Sequence, residues 1–322
     1  MTERNTRRLA ADAAGEAQAA DILRAGGLVA FPTETVYGLG ADATNPRAVA
    51  AIYQAKGRPR FNPLIAHVAS FEQARREGQF SPLAEKLAQK FWPGPLTLVV
   101  PLAGTASVCD LARAGLPSLG LRMPAQKIAR DLIARAQKPI AAPSANRSGH
   151  VSPVTAAHVL ADLDGRIDAV VDGGPCVVGV ESTIVALLDG RPTLLRPGGL
   201  LREHIETVLG VELVVAESEK TQPLAPGLLA SHYAPGASVR LEAQTLEPGE
   251  AGLDFAGQFS GAKNTLDLSP TGDLAEAAAN LFSHLRALDS GGAARIAVAP
   301  IPRHGLGEAI NDRLARAAAP RP

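Results

Sequence analysis

The sequence predicts an α/β protein in two parts: an α/β domain over about residues 12–210 and a smaller Rossmann-like βα domain at the C-terminal end. Three observations predict it. Short apolar runs, such as Leu28-Val29-Ala30-Phe31, recur between segments of helical periodicity. Gly- and Pro-rich turns separate them. After a polar stretch around residue 220 the pattern simplifies to regular strand–helix alternation.

Taken in order, residues 16–25 read as a helix stopped by Gly26-Gly27, and residues 28–31 as a buried strand ending at Pro32. Asn45 caps a helix with Pro46 at its first position. That helix runs through Val49, Ile52 and Tyr53 and stops near Gly57, which leaves Lys56 and Arg58 at a helix C-terminus and in the loop after it. Strands are predicted over 64–68 and 96–100, with a helix over 83–90 and a rigid turn, Trp92-Pro93-Gly94-Pro95, between them. Residues 119–122 are extended, 126–136 helical, and 139–142 a strand feeding Pro143-Ser144-Ala145-Asn146. A helix over 155–163 precedes a strand over 169–171, whose turn is Asp172-Gly173-Gly174. Strands over 182–188 and 192–196 are joined by Asp189-Gly190, a hairpin turn, and followed by a helix over 201–209. Residues 211–237 read as an interdomain linker, and 238–322 as the second domain. That domain holds strands over 239–243, 264–268 and 295–299, helices over 273–288 and 307–317, and a Gly-rich middle. The Arg-rich first eight residues read as a mobile tail.

Composition narrows the function. The 322 residues are 46% hydrophobic and 20% charged, enough for a packed core. Lys plus Arg and Asp plus Glu are 32 each, so no global basic field argues for tight nucleic-acid binding. The two cysteines, Cys109 and Cys176, lie in no metal-ligand spacing, so no metal site is expected. Residues 1–8 lack the apolar run of a secretory signal, and no stretch approaches a membrane span. The expected setting is cytoplasmic, which leaves the sequon Asn146-Arg147-Ser148 unglycosylated.

Two polar clusters carry the chemistry. Lys56-Gly57-Arg58, running into Asn62-Pro63-Leu64, sets two cations on a backbone that a ligand can approach closely. Ser144-Ala145-Asn146 offers neutral donors and acceptors with little bulk. Together they suit a polyanion that needs positioning, such as a nucleoside triphosphate. Each alone has a plainer reading, as solvated charges after a helix or as a turn cap. Their company lowers that reading: Thr33, Thr35, His67, Arg122, Ser182-Thr183 and Arg196 all fall where predicted strands end, the place where open α/β sheets put ligands. His67, in an apolar strand, also suits a core position, and Trp92 suits a turn anchor. No GxxxxGK[ST] loop exists; Gly38-Leu39-Gly40-Ala41-Asp42-Ala43 matches a dinucleotide fingerprint weakly and reads as two glycines needed for a turn.

These residues resemble the YrdC/Sua5 family. The resemblance lies in Phe31-Pro32-Thr33-Glu34-Thr35-Val36-Tyr37-Gly38-Leu39-Gly40, Lys56-Gly57-Arg58, Asn62-Pro63-Leu64, Pro93-Gly94-Pro95-Leu96-Thr97, Arg122-Met123-Pro124, Ser144-Ala145-Asn146 and Glu181-Ser182-Thr183. Ala225-Pro226-Gly227, Ser231-His232-Tyr233-Ala234-Pro235 and the extra C-terminal domain resemble the two-domain Sua5 form. The motifs cover about residues 15–236 densely; Ala225 stands where Ser is common and Leu228 where Met is common. The resemblance implies a twisted mixed sheet with a large concave cavity, and threonylcarbamoyladenylate synthase activity. L-threonine, bicarbonate and ATP give threonylcarbamoyl-AMP, pyrophosphate and water, with Mg2+ accompanying ATP. The product feeds a tRNA threonylcarbamoyl-transferase complex that makes N6-threonylcarbamoyladenosine, which leaves room for weak or indirect RNA contact.

By position, the resemblance assigns L-threonine to Thr35, His67, Arg122, the backbone at Ala142, and Ser182. It assigns ATP to Arg58, Asn62, Ser118, Ser144, Ser152, Arg196 and Tyr233. Lys56, Arg58, Ser144 and Asn146 form the catalytic set, with Lys56 near phosphate or bicarbonate and Tyr233 on a linker that closes as a lid. Two other classes compete: an RNA-binding module on the concave surface, and a carbamoyl-transfer relative of hydrogenase-maturation proteins. Neutral charge and 4% aromatic content argue against the first, and the lack of zinc-finger cysteines against the second.

Overall fold

The structure is a computed structural model that describes residues 5–59, 62–188, 190–216 and 233–320. The chain opens with β1 (Arg7–Ala10), α1 (Ala13–Arg24), β2 (Val29–Phe31), β3 (Gly38–Asp42) and α2 (Pro46–Lys56). Next come β4 (Ala66–His67), α3 (Phe71–Glu77), α4 (Pro82–Phe91), β5 (Leu96–Pro101), β6 (Ser118–Arg122), α5 (Lys127–Ala136) and β7 (Ile140–Ala141). Then follow α6 (Ala156–Leu163), β8 (Ala169–Asp172), β9 (Thr183–Ala186), β10 (Thr193–Arg196), α7 (Arg202–Leu209) and β11 (Val214–Val215). The C-terminal part holds β12 (Ser238–Arg240), β13 (Ala251–Asp254), β14 (Thr265–Asp267), α8 (Leu274–Ser290), β15 (Arg295–Val298) and α9 (Leu306–Ala318).

Strands β1 to β11 form one mixed sheet in the order β1-β8-β2-β3-β7-β4-β6-β5-β9-β10-β11. The C-terminal strands form a separate, all-parallel sheet in the order β12-β15-β13-β14, the Rossmann-like unit. One apolar cluster runs through both parts, from Leu28 and Leu39 to Phe282 and Leu314.

Local sequence explains the helix that matters most. Asn45 accepts from the N–H groups of Arg47 and Ala48, Pro46 opens α2, and Gly57 closes it in the left-handed region at φ 63°. Arg58 therefore leaves the helix axis immediately after Lys56.

Two expectations fail here. Arg7 and Arg8 of the expected tail lie in a strand, while residues 1–4 lie outside the described residues: β1 pairs in parallel with β8 from Arg7↔Ala169 to Ala10↔Asp172, Leu9 is buried, and Arg8 pairs with Asp172. A single inward Leu among arginines hid this strand. Gly38 and Gly40 do not make a turn either, since both lie in β3. A Cβ on Gly40 would stand 2.6 Å from the Phe31 ring, so close packing, not a turn, requires glycine there. The helix α3 and the strand β13 were also unread, β13 because its Ala-Gly-Leu-Asp lacks strand-type residues. Asp189 of the expected hairpin turn lies outside the described residues, although β9 and β10 do pair antiparallel. Most of the expected linker, including Ala225-Pro226-Gly227, Leu228 and Ser231-His232, also lies outside them. Among the described residues no helix is long and apolar enough to cross a membrane.

Candidate active site

Sheet pairing gathers the first wall of a cavity. Parallel β4 and β6 set His67 opposite Arg122, and antiparallel β4 and β7 set Ala66 opposite Ala141, just before Ala142. The bridge Gly38↔Ser144 brings the Ser144 turn alongside. From the other side come Ser182, at the head of β9, and Arg196, at the end of β10. The resulting cavity is partly open to solvent. It is lined by Thr35, Arg58, His67, Arg122, Ala142, Ser144, Glu181, Ser182, Arg196 and Tyr233, with Val36, Ile65 and Pro143 between them. Nine sequence-predicted residues thus share one hollow, although they come from widely spaced parts of the chain.

The hollow is rich in buried positive charge. Arg58 is 8% exposed, donates through Nη2 to Pro63 O at 3.2 Å, and leaves its Nε without a partner among the described residues. Burial, offset by Tyr53 and Tyr233 and reinforced by Arg196, brings its pKa down to about 10. Arg196 donates to Ser182 O at 2.9 Å. Arg122 is tied by Nη2 to Glu34 at 2.7 Å and by Nε to Gly94 O at 3.4 Å. Arg58 therefore retains a donor unmatched by the described protein, an arrangement that favours an incoming anion.

His67 is 2% exposed and its Nδ1 has no partner among the described residues. Burial, then the charge of Arg122, brings its pKa down to about 3, so the imidazole is neutral. Thr35 Oγ1 lies 2.8 Å from Thr33 Oγ1, and Ser182 Oγ 2.8 Å from Thr97 Oγ1, so neighbouring hydroxyls fix both side chains.

Five predicted residues stand outside the lining. Lys56 donates its ammonium to Ser144 O at 2.6 Å and Asn146 O at 2.5 Å, and its carbonyl accepts from Ser148 N at 2.8 Å. Burial and the nearby Arg58 hold its pKa well below the usual lysine value. In this arrangement Lys56 pins the serine turn from behind. Asn146 donates to Arg147 O and His150 O at 2.9 and 2.7 Å, while its Oδ1 is buried without a partner. Both polar side-chain atoms of Asn62 are likewise unmatched among the described residues. Ser152 Oγ donates to Glu181 at 2.5 Å, one step behind the wall. Ser118 begins β6, about 13 Å along the strand from Arg122 at its other end.

The sequence reading missed Glu181 and Glu34 as site groups, although both stand inside quoted motifs. It also missed Arg313, whose signal was an arginine on the apolar face of α9 beside Ile310, Leu314 and Ala317. Among the described residues no group of three or more His, Cys, Asp or Glu could hold a metal.

The family model Sua5_yciO_yrdC, described as "Telomere recombination", matches residues 21–198, and Sua5_C, described as "Threonylcarbamoyl-AMP synthase, C-terminal domain", matches residues 200–319. The threonylcarbamoyl-AMP synthase of Pyrococcus abyssi is 43% identical over 316 residues, 93% of this chain and 92% of its own. That of Bacillus subtilis is 42% identical over 323 residues, 94% and 92%. The crystal structure of P. abyssi Sua5 complexed with L-threonine superposes with a TM-score of 0.90 at 40% identity, covering 97% of each chain.

Proposed function

The chain belongs to the Sua5 family in its two-domain form, and on that premise we propose that it uses L-threonine and ATP to make threonylcarbamoyl-AMP. The observation that carries the reading is the shared cavity: groups suited to an amino acid and groups suited to a phosphate chain line the same hollow.

Threonine occupies the β4–β6–β7 end. Its carboxylate meets Arg122, its hydroxyl meets Thr35 or Ser182, and neutral His67 accepts a hydrogen bond at the unmatched Nδ1. ATP lies across Arg58, Ser144 and Arg196, with Tyr233 at the far wall. Lys56 contributes by fixing the carbonyls of Ser144 and Asn146, which aims the Ser144 turn. Asn62 and Asn146 carry buried unmatched polar atoms but stand outside the lining, so neither is given a direct contact with the nucleotide.

Bicarbonate supplies the carbamoyl carbon. The neutral threonine amine attacks it, water leaves, and a carbamate forms. A carbamate oxygen then attacks the α-phosphorus, the bond to the bridging oxygen breaks, and pyrophosphate departs. The protein's work is positioning and neutralising charge. Mg2+ suits the phosphate oxygens and water. Glu181, the carboxylate on the described wall, is committed to Ser152 and Arg313, so no side chain is assigned as a ligand. When bound, the ion neutralises the triphosphate. The product is a labile mixed anhydride, which suits transfer to a tRNA adenosine by a separate transferase in the cytoplasm.

The test is pyrophosphate release from ATP that requires both threonine and bicarbonate. Arg58→Ala is expected to lower it by about a hundredfold or more, the cost of removing a charged transition-state donor. Wild-type release that ignores threonine would overturn the reading.

A further inference from the structure

Arg313 is the largest fully buried side chain among the described residues, and it comes from α9 of the C-terminal part. Its guanidinium reaches three pieces of the cavity wall at once. Nε donates to Glu181 Oε2 at 2.8 Å and Nη1 donates to Pro197 O at 2.8 Å, next to Arg196. Its Cζ sits 5.4 Å from the centre of the Tyr233 ring. The other face of the wall is braced as well: Tyr233 stacks on Phe282 of α8 with centroids 5.7 Å apart and planes 23° apart. Glu181, in turn, accepts from Ser152 through its other oxygen. Asp312 shares the guanidinium at 2.7 Å.

Arg313 does not line the cavity, so any effect on chemistry passes through Glu181, Pro197 and Tyr233. A buried ion pair is a poor way to glue two surfaces, since apolar residues of similar volume dock as well or better. What it does supply is one geometry. Burial would raise the Glu181 carboxyl, but Arg313 and Arg196 outweigh it and hold the group ionised below its usual range. Docking itself has other anchors. Arg286 of α8 reaches Asp162 at 2.7 Å, and Arg202 of α7 pairs with Glu308 of α9 at 3.2 Å.

We propose that Arg313 is a positioning residue for the nucleotide, through which the C-terminal domain fixes the Glu181 carboxylate and the Tyr233 ring on the cavity wall. The C-terminal domain is thereby part of the site. This rests on the reading of the cavity given above.

The experiment compares wild type, Arg313→Gln, Glu181→Gln and Arg202→Ala by threonine- and bicarbonate-dependent pyrophosphate release, with thermal melting of each. Arg313→Gln is expected to raise KM for ATP by about tenfold while KM for threonine stays within about twofold, the range expected on losing a charge-assisted hydrogen bond. Glu181→Gln is expected to move the same parameter in the same direction. Arg202→Ala, which breaks the partly exposed pair, is expected to match wild type. Two outcomes overturn the inference: ATP parameters for Arg313→Gln within about twofold of wild type, or equal changes in both KM values in step with a lowered Tm. If Arg313→Gln does not melt cooperatively, Glu181→Gln decides alone, and an unchanged KM for ATP there overturns the inference. Absence of threonine-dependent turnover in wild type would instead defeat the functional reading beneath it.

Discussion

At the scale of single residues, the site is defined by groups that burial leaves unfinished. Arg58 Nε and His67 Nδ1 line the hollow without partners among the described residues; Asn146 Oδ1 and both polar atoms of Asn62 are also unmatched but stand outside the lining, and all four residues belong to the predicted set. Buried polar atoms are rarely left so, and a ligand is the economical partner. His67 makes a pH prediction. The folded ring resists the proton that an unfolded chain accepts, because its pKa is down from 6.5 to about 3. Stability is therefore complete above that window and falls as pH drops through it, by up to about 1.4 kcal/mol per pH unit. Urea unfolding of His67→Gln across the same pH range is expected to show a shallower acid-side loss than wild type; an identical slope would contradict the assignment. Motif spacing made these residues legible. It did not reveal that Lys56 turns its ammonium to two carbonyls, because a side chain's direction depends on the turn that meets it.

At the scale of elements, α2 shows how local rules deliver a functional side chain. Asn45 starts the helix and Gly57 ends it, and both were legible as a cap and a stop. Asn45→Ala is expected to cost about 1 kcal/mol of stability with turnover per folded molecule preserved. Gly57→Ala must hold an L side chain at φ 63°, costing about 1 kcal/mol or shifting the cap. It is expected to reduce turnover more than stability, because Lys56 and Arg58 flank the cap. Equal effects of the two substitutions on turnover would sink this account of α2, with urea melts and pyrophosphate release as the measurements. Elements that broke local rules were not legible. β3 contains two glycines and β1 two arginines, and each is a strand because of its neighbours.

At the scale of the whole molecule, the mixed sheet provides most of the cavity and the C-terminal part braces one side of it. The two-part division could be read from the change in pattern, and the resemblance supplied the cavity. The joint between the parts could not be read, since Arg313 meets Glu181 across 132 positions of chain and no local periodicity encodes such a meeting. Longer-range pairings of this kind set which surfaces face the hollow. On the proposed reading, function then depends on placing an amino acid and a nucleotide together in this hollow.

The most direct measurement is a crystal structure of the full chain with L-threonine and a non-hydrolysable ATP analogue bound together. The threonine carboxylate is predicted beside Arg122 and His67, with the phosphates against Arg58 and Arg196 and the α-phosphorus facing the threonine amine. Ligands found in separate places, with the arginines of the hollow contacting neither, would contradict the account.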